Sequence, residues 1–171
     1  MNSYVDSFRE YLTLELGYSI RTSKTYVEAL KEYEIFLREH HYSFLNVSKD
    51  IANGYKAYLV KKNYESKTAS LYLSAVRSFY NYLVEIKKIA VNPFLMIKNP
   101  KVIKKLPIFL NHSESEVLFS QDEADDDLEV RNEFIVEFLY ATGLRVSELC
   151  SIKMQDIDFS GKKIKVMGKG S

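Results

Sequence analysis

Three groups of residues in this 171-residue chain have the types and spacing for phosphate chemistry. Arg145 lies in "LYATGLRVSEL", just past the Thr142-Gly143 break, with Glu148 three residues further on. At i, i+3 on a new helical turn the two share a face. A guanidinium held by a carboxylate is rigid, permanently charged and shaped to fork two oxygens of a phosphate. Lys169 stands in "GKG", and its flanking glycines free the chain to carry an ammonium into a groove or cleft. The third group is Lys67, Ser70, Ser74 and Arg77, spaced by three or four residues within "KTASLYLSAVRSFYNYL". These residues share one helix side, on which small polar residues separate two cations. Such a side can approach a phosphate backbone closely or enter a groove. An ordinary solvent-facing helix side fits the same spacing.

These residues need elements to hold them. The first 90 residues predict four helices. Tyr4, Phe8, Tyr11 and Leu12 mark the first, with Gly17 as its stop. Ser19 can cap the second, striped by Tyr26, Leu30, Tyr33 and Leu37. Ser48 precedes the third, with Ile51, Tyr55, Tyr58 and Leu59, and Ser66 the fourth, with Tyr72, Val76, Phe79 and Leu83. Short polar connections imply a compact bundle, its tyrosines in the core with hydroxyls reaching the rim.

"VNPFLMIKNPKVIKKLPIFL" follows at 91–110. Its three prolines, two of them after asparagine, break helix and favour extended backbone. Lys98, Lys101, Lys104 and Lys105 make it cationic, while its apolar residues suggest that it packs. It reads as an interdomain linker that crosses a polyanion. Beyond it, "SESEVLFS" predicts a short capped helix, and the acidic "QDEADDD" suits the N-terminus of the helix that follows. Phe134, Phe138 and Leu139 are expected to bury that helix, and Tyr140 to lie in the core. Gly143 can take the left-handed conformation that ends it. Around Ser160-Gly161, Ile164 and Val166 alternate with Lys163, Lys165 and Met167 as in an edge hairpin.

The net charge of +1 conceals a division. Residues 1–109 carry 17 basic and 10 acidic groups; residues 110–171 carry 7 and 13. Residues 49–109 alone hold 12 against 3, a field suited to a polyanion and equally a pattern for a solvated lysine-rich face. No apolar run approaches the roughly 18 residues of a membrane span. "MNSYVDSFRE" lacks the basic-then-apolar layout of a signal peptide. The single Cys150 excludes an internal disulfide and fits a reducing cytoplasm. The acidic stretch lacks the oxygen spacing of a calcium loop, and His40-His41 lack further ligands nearby, so no metal or cofactor is expected.

At this point the chain resembles the tyrosine site-specific recombinases, and among them the Xer chromosome-dimer-resolution type. "LSAVRSFYNYL" and "NPKVIKKLP" are similar to the core-binding helix and linker, "YATGLRVSEL" and "VMGKG" to the first two catalytic motifs. The resemblance implies a mainly α fold: a SAM-like four-helix core-binding domain over 1–90, a basic linker over 91–112, and the first half of an α+β catalytic domain with a small β-hairpin over 113–171. It implies that Arg145 is the first catalytic arginine, Lys169 the hairpin lysine and Glu148 a supporting residue. DNA contacts would come from Lys67, Ser70, Ser74, Arg77, Lys101, Lys104 and Lys105. In that family a tyrosine attacks a DNA phosphodiester, leaving a 3′-phosphotyrosine and a free 5′-hydroxyl. The implied partners are a double-stranded recombination site and self or sister recombinase in a tetrameric synaptic complex.

The family's His-x-x-Arg motif and nucleophilic tyrosine have no counterpart here, although the chain holds 13 tyrosines. The expectation is therefore a fragment that binds DNA without cleaving it. A stand-alone DNA-binding or architectural module is the alternative class, and a mobile-element integrase the alternative within the recombinases.

Overall fold

In the computed structural model, residues 3–101, 106, 109, 111, 113–115 and 126–168 are described. Four helices come first: α1 (Ser3–Leu14), α2 (Ile20–Glu39), α3 (Lys49–Lys61) and α4 (Ser66–Glu85). Their starts follow local chemistry. Ser19 accepts the amide of Thr22, and Ser48 that of Ile51. At α4 the expected cap is displaced: Glu65 occupies the cap position, Ser66 is already helical, and no side chain caps the helix. Gly17 adopts φ 64° and turns the chain from α1 into α2.

The stripes converge as their periodicity requires. Val5, Phe8 and Leu12 meet Val27, Leu30, Tyr33 and Leu37, with Ala52, Tyr55 and Leu59 from α3 and Leu73, Val76, Phe79 and Leu83 from α4. Tyr33 lies at the centre, its ring against Phe36, Phe44, Tyr55, Tyr80 and Phe94. The expectation that hydroxyls reach the rim holds for Tyr11 and Tyr58, which donate to Glu85 and Glu32, and fails for three others. Tyr33, Tyr55 and Tyr80 are fully buried, so their hydroxyls do not reach the rim. Two of them are satisfied internally: the Tyr80 hydroxyl lies 2.9 Å from that of Tyr33 and donates to the Phe44 carbonyl at 3.0 Å. A hydrogen-bonded chain removes the cost of burying polar atoms, which makes a tyrosine core possible. Among the described residues the buried Tyr55 hydroxyl has no hydrogen-bond partner, an arrangement that costs about 1–3 kcal/mol.

The chain divides into two compact units, Met1–Lys105 and Leu106–Ser171. The second begins with a capping box: Asn111 Oδ1 accepts the amide of Glu114, and Glu114 Oε2 accepts that of Asn111. Residues 113–115 are helical, and the rest of "SESEVLFS" lies outside the described residues. Helix α5 (Asp127–Thr142) is capped by Asp126, whose Oδ1 accepts the amides of Leu128 and Glu129 at 2.8 Å. The preceding part of the acidic stretch, 121–125, lies outside the described residues.

Helix α5 carries the second correction, for none of its residues is buried. Phe134 is 57% exposed and pairs with Phe138, while Phe138 and Leu139 are half-buried and Tyr140 is exposed. An apolar stripe is buried only where another layer covers it. The described elements after α5 are the four-residue α6 (Val146–Leu149), a 3₁₀ turn (Met154–Asp156) and a two-stranded hairpin. These are too small to cover it.

The hairpin pairs β1 (Ile157–Asp158) with β2 (Lys163–Ile164), Ile157 opposite Ile164 and Asp158 opposite Lys163. It is shorter than the alternation over 163–167 suggests; past Ile164 the Lys165 amide still bonds to the Asp156 carbonyl. The Asp158 carboxylate accepts the Gly161 amide and fills the space a Cβ there would need. A Cβ there would displace that carboxylate, and the left-handed residue of the turn is Lys162, φ 49°. Among the described residues no helix is long and apolar enough to cross a membrane.

Candidate functional site

The Arg145 site is built from local parts. Helix α5 ends at Gly143, φ 65°, whose amide bonds to the Leu139 carbonyl at 2.9 Å. Two residues later Arg145 holds extended backbone and starts α6. Glu148 secures it twice. Its Oε2 accepts the Arg145 main-chain amide at 2.8 Å, and its Oε1 accepts Nη1 of the guanidinium at 2.6 Å. The carboxylate thereby fixes both the start of the helix and the direction of the side chain. Arg145 remains 69% exposed at its side chain, and Nη2 and Nε make no hydrogen bond among the described residues. The pair presents a positive edge with two or more donors to whatever approaches.

The same contacts hold the Glu148 carboxyl below the usual glutamate range, the main-chain amide contributing most and the guanidinium next. A lowered folded value means that its contribution to folding is complete above the ordinary glutamate pKa. That contribution disappears as pH falls through the lowered value. In a carbon-detected NMR titration, Glu148 is expected to titrate below the ordinary glutamate value. Arg145→Ala should raise its midpoint only part of the way, because the larger cause is a main-chain amide that the substitution retains. Full return to the ordinary value would contradict that ranking.

Lys169 lies outside the described residues, as do Lys104 and Lys105. Lys67 and Lys101 are described and exposed.

Ser70, Ser74 and Arg77 share a face of α4, as their spacing requires, but that face is partly covered and all three are half-buried. The first stretch of the linker packs on it, with Phe94 and Ile97 buried in the bundle core. Arg77 donates from Nε to the Phe94 carbonyl at 3.1 Å, and from Nη2 to the Ile97 carbonyl at 2.5 Å and Asn99 Oδ1 at 2.8 Å. Asn99 Nδ2 donates to Ser70 Oγ at 2.9 Å and Ser74 Oγ at 3.0 Å. Asn92 reaches the helix further along, donating to the Arg77 carbonyl at 2.9 Å and Asn81 Oδ1 at 2.7 Å, while its Oδ1 accepts the Phe94 amide. Of the four residues in that group Lys67 is exposed, and the other three meet both solvent and the linker. The linker competes for the other three because burying Phe94 and Ile97 contributes roughly 1.5–3 kcal/mol each. The bonds at the seam, worth about 0.5–1.5 kcal/mol net apiece, then select the orientation. Asn92 and Asn99 escaped the sequence reading as functional residues. Their signal was present, since both precede a proline within a seven-residue interval.

Comparison with known proteins assigns both units. Residues 5–87 match the N-terminal SAM-like domain of phage integrases, and residues 109–171 match the phage integrase family itself. Tyrosine recombinase XerC from several Staphylococcus aureus strains is 37% identical over all 171 residues. The chain spans 57% of the length of these relatives. The Tn1549 transposon integrase, solved in complex with circular intermediate DNA, aligns with TM-score 0.68 at 20% identity, over 95% of this chain and 53% of that one. An integrase from mycobacterium phage Brujita aligns with TM-score 0.51 at 20% identity, over 97% and 54%. At that identity the two structures speak for the fold.

Proposed function

This chain belongs to the phage integrase family, that of the tyrosine recombinases, and on that premise we propose that the full-length protein cuts and rejoins DNA at defined sites. The observation that carries the reading is Arg145 held by Glu148 inside the family-matched region, with most of its side chain open to solvent. Phosphoryl transfer at a diester develops charge on the non-bridging oxygens, and a fixed guanidinium stabilises that charge without reorganising. We assign Lys169 the proton for the departing 5′-oxygen and place the attacking tyrosine outside these 171 residues. The whole-chain identity to XerC supports the finer reading, chromosome-dimer resolution by a cytoplasmic enzyme that works in a tetramer with itself or a sister recombinase. The N-terminal unit would grip duplex DNA through Lys67 and the linker cations Lys101, Lys104 and Lys105.

The test is covalent trapping. Full-length protein incubated with its site, nicked beside the scissile phosphate so that the freed strand diffuses away, should accumulate a protein–DNA adduct that survives denaturation. Arg145→Ala should remove the adduct and leave binding. Binding with no adduct from the unsubstituted protein would instead favour an architectural module.

A further inference from the structure

We propose that Arg77 is a positioning residue: its guanidinium, together with Asn92 and Asn99, fixes the start of the basic linker on α4 and so decides where Lys101 meets DNA. The inference rests on the DNA-binding reading and adds to it a division of labour between two cations that look alike in the sequence. Donor accounting separates them. Arg77 commits Nε and both hydrogens of Nη2 to Phe94, Ile97 and Asn99, so reaching a phosphate with that edge would break three bonds. Lys101 is exposed, two residues past the lock.

The lock closes in both directions. The Arg77 side chain holds the linker, and Asn92 of the linker holds the Arg77 carbonyl. Each asparagine precedes a proline, which biases its backbone toward extended conformations. Asn99 is oriented by charge and hydroxyl together, its oxygen toward the guanidinium and its amide toward Ser70 and Ser74.

Chain reach gives the lock its consequence. Two residues span at most about 7 Å, so the Lys101 backbone stays close to a fixed Asn99. Without the lock the nearest anchor is buried Ile97, four residues back, and the reach doubles to about 14 Å. A lysine spread over that range no longer holds one phosphate.

A mutant cycle on the 171-residue chain tests this, with a short mixed-sequence duplex as the probe and the slope of log K against log salt as the readout. Lys101→Ala alone should flatten the slope by about 0.9, the release expected for one phosphate contact. In an Arg77→Met background it should change the slope by less than about a third of that. Arg77→Lys should behave like Arg77→Met, because it restores charge but not the fork. An undiminished Lys101 effect in Arg77→Met, or recovery of binding by Arg77→Lys, would overturn the proposal and make Arg77 a phosphate contact. Should Arg77→Met fail to fold, Asn99→Ala carries the same cycle with the two carbonyl bonds retained. Hydrogen exchange separates this proposal from the reading beneath it. If the unsubstituted chain does not bind duplex DNA, the DNA reading fails. The seat is still judged by whether Asn99→Ala speeds exchange at Leu95 and Ile97 relative to α1–α3, and unchanged rates there would overturn it.

Discussion

In the full-length protein, Lys169→Ala is expected to slow DNA cleavage by roughly 10²–10⁴-fold, the usual worth of a positioned proton transfer, and to leave site binding nearly intact. The reasoning follows the leaving group. In the reaction proposed above, a tyrosine oxygen would attack the phosphorus, the bond to the 5′-oxygen would break, and that oxygen would depart as an alkoxide unless a proton arrived with it. An ammonium in a partly dry cleft can supply one. A substrate with sulfur at the 5′-bridging position leaves as a thiolate and needs no proton. It should therefore restore cleavage to Lys169→Ala. It should not rescue Arg145→Ala, whose defect lies in charge on the non-bridging oxygens, which the sulfur leaves unchanged. Equal rescue of both variants, or of neither, would mean that the two roles are wrongly assigned.

The second large effect is on binding. Replacing Lys67, Lys101, Lys104 and Lys105 together by alanine should flatten the salt slope by about 0.9 for each lysine that lies on a phosphate. If all four do, affinity near 0.1 M salt falls by roughly 10³-fold. Arg77 is omitted from this set on structural grounds, since its Nε and Nη2 donors are occupied within the protein. Isothermal titration or fluorescence anisotropy across a salt series measures the slope directly. An unchanged slope would remove the clamp from the N-terminal unit and place DNA binding elsewhere in the protein.

What could be read from the residues alone was whatever depends on near neighbours. Helical period located α1 to α4, serine caps placed the starts of α2 and α3, and Gly143 marked the end of α5 through the left-handed φ it adopts. The Arg145–Glu148 pair was legible for the same reason, because i, i+3 on one turn leaves those side chains few other places to go. Whether a surface is covered is a different kind of question. Ser70, Ser74 and Arg77 look like an open polar face until a segment 15 to 29 residues away folds onto them. Spacing along one helix carries no information about such a visitor. The tyrosine hydroxyls follow the same rule: Tyr33 and Tyr80, 47 residues apart, satisfy each other in the core, and only the packing of α2 on α4 brings them together. The apolar stripe of α5 shows the converse, for its pattern predicted burial, but burial also requires a covering layer. The sequence by itself determined the helices of the first unit, the caps of α2 and α3 and the arginine poised at a helix start. Tertiary structure decided which polar groups meet solvent and which hold the chain to itself, because burial is a property of pairs of surfaces and a single helix specifies only one of them.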